Sequence, residues 1–448
     1  MTQPQIESNA GHSKMRYPLL CGMMFLQFAV YGLWLPIAGR FLKADPATEG
    51  GLGFTDSQVG WIIGLAASLG AICSPFVTRF ADRHFSAQRF LGVLMILGGI
   101  LKLITATQTS FAAWLVLSVL FAMLFMPAVA ICNALAMRHL ANPSLQFPRV
   151  RLWSTVGWIA VAWFFPLIAL KTNVRFQWLP PFFAGDDVEF IAAKMLTSVR
   201  WAGILAIGYG VLAFFLLPDT PPIPQQTVSS EKRFAALEAF SMLKRPSFCV
   251  LLVVTLLLSI THVNYFIQMS SFLRVVGLND AYTMPAMSLG QAAELVMYVV
   301  LGGLLTKFGF RAMLLIGIAA FVARFSLHAS SELPVWCQVA GQAFHGVCFA
   351  FFFSTCIIYV DRTAPPDLRN SAQSVFNFVF YGIGPLVAVQ LNSVLAGSLA
   401  GPNGMDAAGY SNYWYVMAGI GAVAFVVMLI FFRDETAGGR RGLTRSRR

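Results

Sequence analysis

A stripe of polar side chains at 288–298 contains the residues best suited to chemistry. Ser288, Gln291, Glu294 and Tyr298 recur at spacings of three, three and four, which places them on one face of a helix. They lie inside an apolar segment, about 282–305, that is long enough to cross a bilayer. A carboxylate at membrane depth is costly, so Glu294 is expected to be functional, as a residue that binds substrate or a proton. The alternative is a structural hydrogen bond between helices.

Two other apolar segments carry polar or aromatic side chains at helical spacing. In the first, Gln27, Tyr31 and Trp34 share a face, and aromatic rings beside an amide suit a flat solute with polar edges. In the seventh, Asn264 and Gln268 share a face. These two amides fit either a cavity wall or hydrogen bonds between helices.

Charged residues in the apolar segments have more than one reading. Arg151 and Thr155 lie one turn apart at the start of the fifth segment. Arg151 could donate hydrogen bonds inside a cavity, but its position alone favours a cytoplasmic anchor. We expect Lys102 to pair or to extend towards the membrane surface, and Arg324 to be structural.

The composition is that of a polytopic membrane protein. The chain is 57% hydrophobic and 11% charged, against about 25% in a soluble domain, and its mean hydropathy is +0.70. The net charge is +12, and the basic residues occur as short clusters between apolar segments. This distribution is typical of the loops of a membrane protein and does not indicate a nucleic-acid-binding surface. We find no catalytic or metal-binding motif, so an enzyme, a metal site and a cofactor are not predicted.

Twelve apolar spans are predicted, six on each side of a polar linker. The fold class is therefore an all-α polytopic membrane protein with two six-helix pseudo-symmetric halves. The predicted organisation is a first half at 1–217, a cytoplasmic linker at 218–246, a second half at 247–433 and a basic tail at 434–448. With the N-terminus in the cytoplasm, 22 of the 31 lysines and arginines collect on that side, so both termini are expected to be cytoplasmic.

Several segments resemble the nucleoside:proton symporter family, a branch of the major facilitator superfamily. They are FLQFAVYGLWLP (25–36), RLWSTVGWI (151–159), GQAAE (290–294), AFVARF (320–325), HGVCFAFFF (345–353) and NSAQSVF (370–376). The resemblance implies the major facilitator fold and nucleoside import driven by protons across the bacterial inner membrane. It also implies that Arg151, Thr155, Gln291 and Glu294 contribute to nucleoside binding, which moves Arg151 from anchor to site residue.

The sequence departs from the family at one position. The resemblance leads to an expectation of aspartate in a G-x-x-x-D-F-F pattern, but this chain has Ala350 in GVCFAFF. Glu294 would then have to serve both proton coupling and substrate recognition.

The predicted function is proton-coupled nucleoside uptake by alternating access in a monomer, with the lipid bilayer as its surroundings. A symporter for a sugar or another small polar metabolite, or a transporter-like sensor without flux, are the alternatives. The predicted substrate-binding residues are Gln27, Tyr31, Trp34, Arg151, Thr155, Asn264, Gln268, Gln291 and Glu294, with Glu294 also coupling the proton.

Overall fold

The computed structural model describes residues 4–222, 239–365, 368–401 and 404–435, with nearly all of their side chains from Tyr17 onward. Within these residues, eleven helices are long and apolar enough to cross a membrane. They are α1 (Tyr17–Lys43), α2 (Asp56–His84), α3 (Ala87–Thr105), α4 (Phe111–His139), α5 (Leu145–Ala169), α6 (Ile191–Leu216), α7 (Pro246–Val275), α8 (Asp280–Ala329), α9 (Val335–Thr363), α10 (Ser371–Leu399) and α11 (Ala407–Phe431).

The longest helix, α8, is two spans joined by a sharp break. Gly309 has φ 79° and ψ 173°, a conformation that glycine adopts far more readily than other residues. The break falls in the segment TKFGFR (306–311), which directly follows the apolar segment predicted at about 282–305. The ten other spans and the two parts of α8 together make twelve crossings among the described residues, as predicted.

Local capping explains where several helices begin. Thr55 and Gln58 form a reciprocal capping box at the start of α2. Ser110 and Asp406 accept hydrogen bonds from the backbone at the first turns of α4 and α11. Three helices also contain π-helical turns, which often mark functional sites. These turns are Trp61–Leu65, Phe349–Ser354 and Phe378–Ile383.

The chain divides into two compact units. Unit 1 comprises Met1–Thr227 with Asn279–Pro285, and unit 2 comprises Val228–Leu278 with Ala286–Arg448. The predicted boundaries of the two halves remain a prediction, and most of the linker, at 223–238, and of the tail, at 436–448, lies outside the described residues.

In unit 1, glycines bring α3 and α6 into close contact. A β-carbon on Gly99 would lie 2.6 Å from the carbonyl oxygen of Gly203, and one on Gly92 would lie 2.8 Å from that of Gly210. Gly92 and Gly99 are seven residues apart on α3, as are Gly203 and Gly210 on α6. This spacing is about two turns, so the glycines of each helix lie on the face that contacts the other helix. Between α5 and α6, strands β1 (Lys171–Phe176) and β2 (Phe183–Asp187) form an antiparallel hairpin.

The first turn of α8, which belongs to unit 1, bonds to α1 through buried charges. Arg40 donates from Nε to both carboxylate oxygens of Asp280, at 3.0 and 3.1 Å. Its two terminal nitrogens donate to Glu49 at 2.8 and 2.6 Å. Asp280 is 2% exposed, so this ion pair is shielded from water.

Unit 2 has an aromatic core. The rings of Phe325 and Trp414 stack with centroids 5.6 Å apart and nearly parallel planes, and Phe272 meets Trp414 edge-on. These rings pack α7, the second part of α8 and α11 against one another.

Candidate functional site

In unit 1, close packing of α1 against α5 assembles an aromatic wall. A β-carbon on Gly32 would lie 3.1 Å from the Cα of Trp158, and one on Gly157 would collide with the carbonyl of Phe25. The two glycines let the backbones approach, and Tyr31 meets Trp158 edge-on with ring centroids 5.8 Å apart. Tyr31 also stacks on Phe125 at 4.9 Å and is half-buried.

Tyr31 and Trp34 line a small cavity, together with residues of α2 and α4 that include Ser118 and Phe125. Trp34 is 4% exposed, and its indole Nε1 has no hydrogen-bond partner among the described residues. Tyr31 and Trp34 of the predicted aromatic face of α1 thus line one cavity, and the indole N–H of Trp34 is an unused donor among the described residues.

One face of Trp34 is already covered. The Nζ of Lys102 lies 3.2 Å from the centre of the Trp34 ring and 4.3 Å from that of Phe121. Lys102 is fully buried, so the expectation that it extends towards the membrane surface is wrong: the ammonium is held by the aromatic faces. Any base that stacks on Trp34 must use the opposite face of the ring.

Arg151 lies on the wall between α1 and α5. Its Nη1 donates to the hydroxyl of Ser154, and its guanidinium carbon lies 4.4 Å from the centre of the Phe28 ring. Arg151 and Thr155, one turn further along α5, are both half-buried. The guanidinium therefore contacts both α1 and α5.

Gln27 is deeper in the same unit. It is fully buried, and its Oε1 accepts a hydrogen bond from the thiol of Cys132 at 3.4 Å. Its Nε2 has no partner among the described residues. One half of the amide is therefore structural and the other half can donate.

In unit 2, α8 carries the polar stripe against α9. A β-carbon on Gly290 would lie 2.8 Å from the β-carbon of His345, and one on Gly346 would collide with the backbone at Glu294. Gln291 is 8% exposed and its Oε1 has no partner among the described residues, whereas Glu294 is half-buried. The two residues sit one turn apart, so an amide and a carboxylate converge on one face.

The ends of the stripe are structural. Tyr298 exchanges a hydrogen bond with Ser354 at 2.8 Å, and Ser288 is 1% exposed. Gln291 and Glu294 are therefore the stripe's best candidates for contact with a ligand.

The two amides of α7 bond to neighbouring helices. Gln268 donates to Asn392 at 2.8 Å and accepts from Tyr410 at 3.3 Å. Asn264 donates to the carbonyl of Ile260 and accepts from Tyr413 at 2.8 Å. Both side chains are fully buried. Of the two readings left open by the sequence, these contacts favour hydrogen bonding between helices over a cavity wall.

A buried cluster around Arg324 in unit 2 is not predicted from the sequence. Arg324, expected to be structural, contacts His345 and Gln342 and lies over the ring of Tyr265. The sequence does contain a signal for this cluster, because an arginine inside an apolar span needs hydrogen-bond acceptors. Gln342 and His345, one turn apart in the next span, can supply them.

Comparison with known proteins gives a consistent result. Residues 14–437 match the model of a family described as nucleoside H+ symporter. The putative nucleoside transporter YegT of Escherichia coli (strain K12) is 29% identical over 422 residues, covering 92% of this chain and 93% of that protein. The nucleoside permease NupG of the same strain is 23% identical over 428 residues, covering 91% and 94%.

Solved structures agree on the fold. The crystal structure of NupG superposes with a TM-score of 0.77 at 19% identity, covering 93% of this chain and 99% of that one. A D-xylose-proton symporter superposes with a TM-score of 0.69 at 12% identity, covering 93% and 97%. The predicted all-α polytopic fold is confirmed.

Proposed function

Because this chain belongs to the nucleoside H+ symporter family, we propose that it imports nucleosides together with protons by alternating access. It is a polytopic membrane transporter and not an enzyme. The observation that carries the proposal is the convergence of Gln291 and half-buried Glu294 on one face of α8, next to the close α8–α9 contact. A carboxylate there can accept a hydrogen bond from a sugar hydroxyl or base N–H, and can also take up a proton.

We propose candidate nucleoside-binding residues for each unit by itself. In unit 1, Tyr31 and Trp34 would meet the flat base, with the free indole N–H as a donor, and Arg151 and Thr155 would bond its polar edge. In unit 2, Gln291 and Glu294 would bond polar groups of the nucleoside. The free Nε2 of Gln27 is a further candidate donor. Asn264 and Gln268 are not proposed as binding residues, because Asn264 accepts a hydrogen bond from Tyr413 of α11 and Gln268 donates one to Asn392 of α10.

The proposed setting is a bacterial inner membrane with both termini in the cytoplasm. This orientation rests on the bias of lysine and arginine among the loops. We further propose that the monomer is the transporting unit, with nucleoside, proton and bilayer as its partners.

The test measures uptake of radiolabelled uridine by proteoliposomes with and without an inward proton gradient. The wild-type protein is expected to accumulate uridine only with the gradient. Glu294→Gln, which keeps the shape but not the charge, should abolish the gradient-driven part. Glu332→Gln, an exposed acid outside the spans, is the matched control and should behave as wild type.

Competition identifies the substrate class. Excess unlabelled nucleosides should block uptake, whereas sugars should not. If sugars compete and nucleosides do not, the sugar symporter is the correct alternative. Uptake that is independent of the gradient in the wild-type protein would refute proton coupling, and ligand binding without any flux would favour a sensor.

A further inference from the structure

Four titratable side chains form a buried cluster in unit 2. Arg324 and His328 come from the second part of α8, His345 from α9 and His262 from α7. Arg324, His328 and His345 are buried and His262 is half-buried, and the rings of His262 and His345 stack with centroids 5.5 Å apart. Among the described residues, Arg324 forms no ion pair with a carboxylate. The neighbours of this guanidinium are imidazole, amide and aromatic groups.

The hydrogen bond between Arg324 and His345 determines where the imidazole carries its hydrogen. Nη1 of Arg324 lies 3.1 Å from Nδ1 of His345, and Nη2 donates to Oε1 of Gln342 at 3.3 Å. Guanidinium nitrogens only donate, so Nδ1 must accept with its lone pair. His345 is therefore held as the neutral ring with its hydrogen on Nε2.

A proton on Nδ1 and the hydrogen bond from Arg324 exclude each other, because both use the same lone pair. If a proton adds to Nδ1, the ring becomes an imidazolium and two cations would face each other across 3.1 Å. The guanidinium must then separate from the ring, while Gln342 and the face of Tyr265, 3.8 Å away, can still hold it. The arrangement has two states, distinguished by one proton.

We propose that His345 is a second proton-binding residue of the transport cycle, linked to Arg324 by this exclusion. A proton from the aqueous phase adds to Nδ1, the hydrogen bond from Arg324 breaks, and the same proton leaves when that bond re-forms. No other bond changes. The proposal rests on the proposed function, since a proton must be carried for His345 to matter.

The packing connects His345 with the proposed binding residues. His345 lies directly against Gly290, next to Gln291, and its neighbour Gly346 lies against the backbone at Glu294. The titratable groups that face His345 are His262 and Tyr265 from α7, and Arg324 and, through this contact, Glu294 from α8. A change in the His345–Arg324 pair therefore acts directly on the part of α8 that carries the proposed nucleoside contacts.

The decisive variant is His345→Asn. Asparagine places an oxygen near the position of Nδ1, so Arg324 keeps an acceptor, but the side chain cannot take up a proton. We expect the ratio of gradient-driven uridine uptake to uridine counterflow to fall about fivefold or more, the usual range for coupling between two sites. Purified H345N should also take up fewer protons on binding uridine than wild type, measured calorimetrically in buffers of different ionisation enthalpy.

His328→Asn is the matched control. His328 is equally buried, but its Nδ1 donates to Oε1 of Gln338 at 2.9 Å, and Asn can replace that donor. The uptake ratio and the proton count of H328N should equal those of wild type. If H345N also matches wild type in both measurements, or if it folds but binds no uridine, the proposal is wrong.

A second variant decides the matter if H345N does not fold. Arg324→Gln can still donate to Nδ1 but carries no charge, so the pH profile of uridine binding must move relative to wild type. An unchanged profile refutes the linkage. Failure of the proposed function is distinguishable, because the wild-type protein would then show no gradient-driven uptake at all.

Discussion

Arg40 binds two carboxylates, and removing that of Asp280 should destabilise unit 1 more than removing that of Glu49. The Asp280 side chain is 1% exposed, whereas that of Glu49 is 31% exposed and can be hydrated in other arrangements. Breaking a buried ion pair costs about 3–5 kcal/mol, because the remaining charge is left without a partner. In Asp280→Ala, Arg40 keeps Glu49 but its Nε loses both acceptors, so the lower end, about 3 kcal/mol, is expected.

Thermal unfolding of the detergent-solubilised protein measures this effect. For a unit of this size, about 3 kcal/mol corresponds to a fall in Tm of about 6–12 °C. Glu49→Ala should cost no more than about 1 kcal/mol, as is usual for a partly exposed pair. In the double variant Arg40→Met/Asp280→Ala the uncompensated charge is gone, so its Tm should exceed that of D280A.

Two results would refute this reasoning. If D280A melts no lower than E49A, the burial of Asp280 does not govern the free energy of unfolding. If the double variant melts no higher than D280A, the cost does not come from an unpaired Arg40 charge.

Two further predictions concern packing inside unit 1. Gly99→Ala should lower the Tm, at a cost of about 1–3 kcal/mol from overpacking, because its methyl group would lie 2.6 Å from the carbonyl oxygen of Gly203. In the control Gly98→Ala the nearest atom is 3.5 Å away, so that variant should be neutral or stabilising. Equal Tm values for the two variants would contradict the prediction. Lys102→Met should melt no lower than wild type. The variant loses the cation–π contact with Trp34, about 2 kcal/mol, but it also removes a buried charge that costs several kcal/mol. A clear fall in the Tm of K102M would contradict this explanation.

The span pattern was predictable because hydrophobic length alone determines it. Even the break in α8 had a signal, the glycine of TKFGFR between two apolar runs. Local departures from that pattern were not predictable. The π-helical turn Phe349–Ser354 lies inside an aromatic run with no glycine or proline to announce it. The helix leading into α5 begins at Pro143, well before the predicted start at 151, because proline is tolerated in a first helical turn.

The site was predictable only as far as single helices determine it. Helical spacing correctly grouped Gln291 with Glu294, but it cannot say which partner a side chain finds across the bundle. Gln268 bonds to Asn392, 124 residues away, and this contact favours the structural reading of an amide that the sequence could not assign. Lys102 likewise meets the ring of Trp34 on a distant helix, which no local pattern indicates.

The alanine at position 350 connects the unusual features of unit 2. Ala350 is fully buried in a small apolar cluster with Leu301 and Phe351, surroundings that would leave a carboxylate without compensation. Within the described part of unit 2, Arg324 pairs with no acid and instead uses the lone pair of His345. A neutral imidazole can accept the hydrogen bond from Arg324 and can also bind and release a proton, whereas the side chain of Ala350 can do neither. The number of protons taken up on uridine binding therefore distinguishes two schemes. If only Glu294→Gln lowers that number, Glu294 alone couples the proton. If His345→Asn lowers it as well, Glu294 of α8 and His345 of α9 both take part in the coupling.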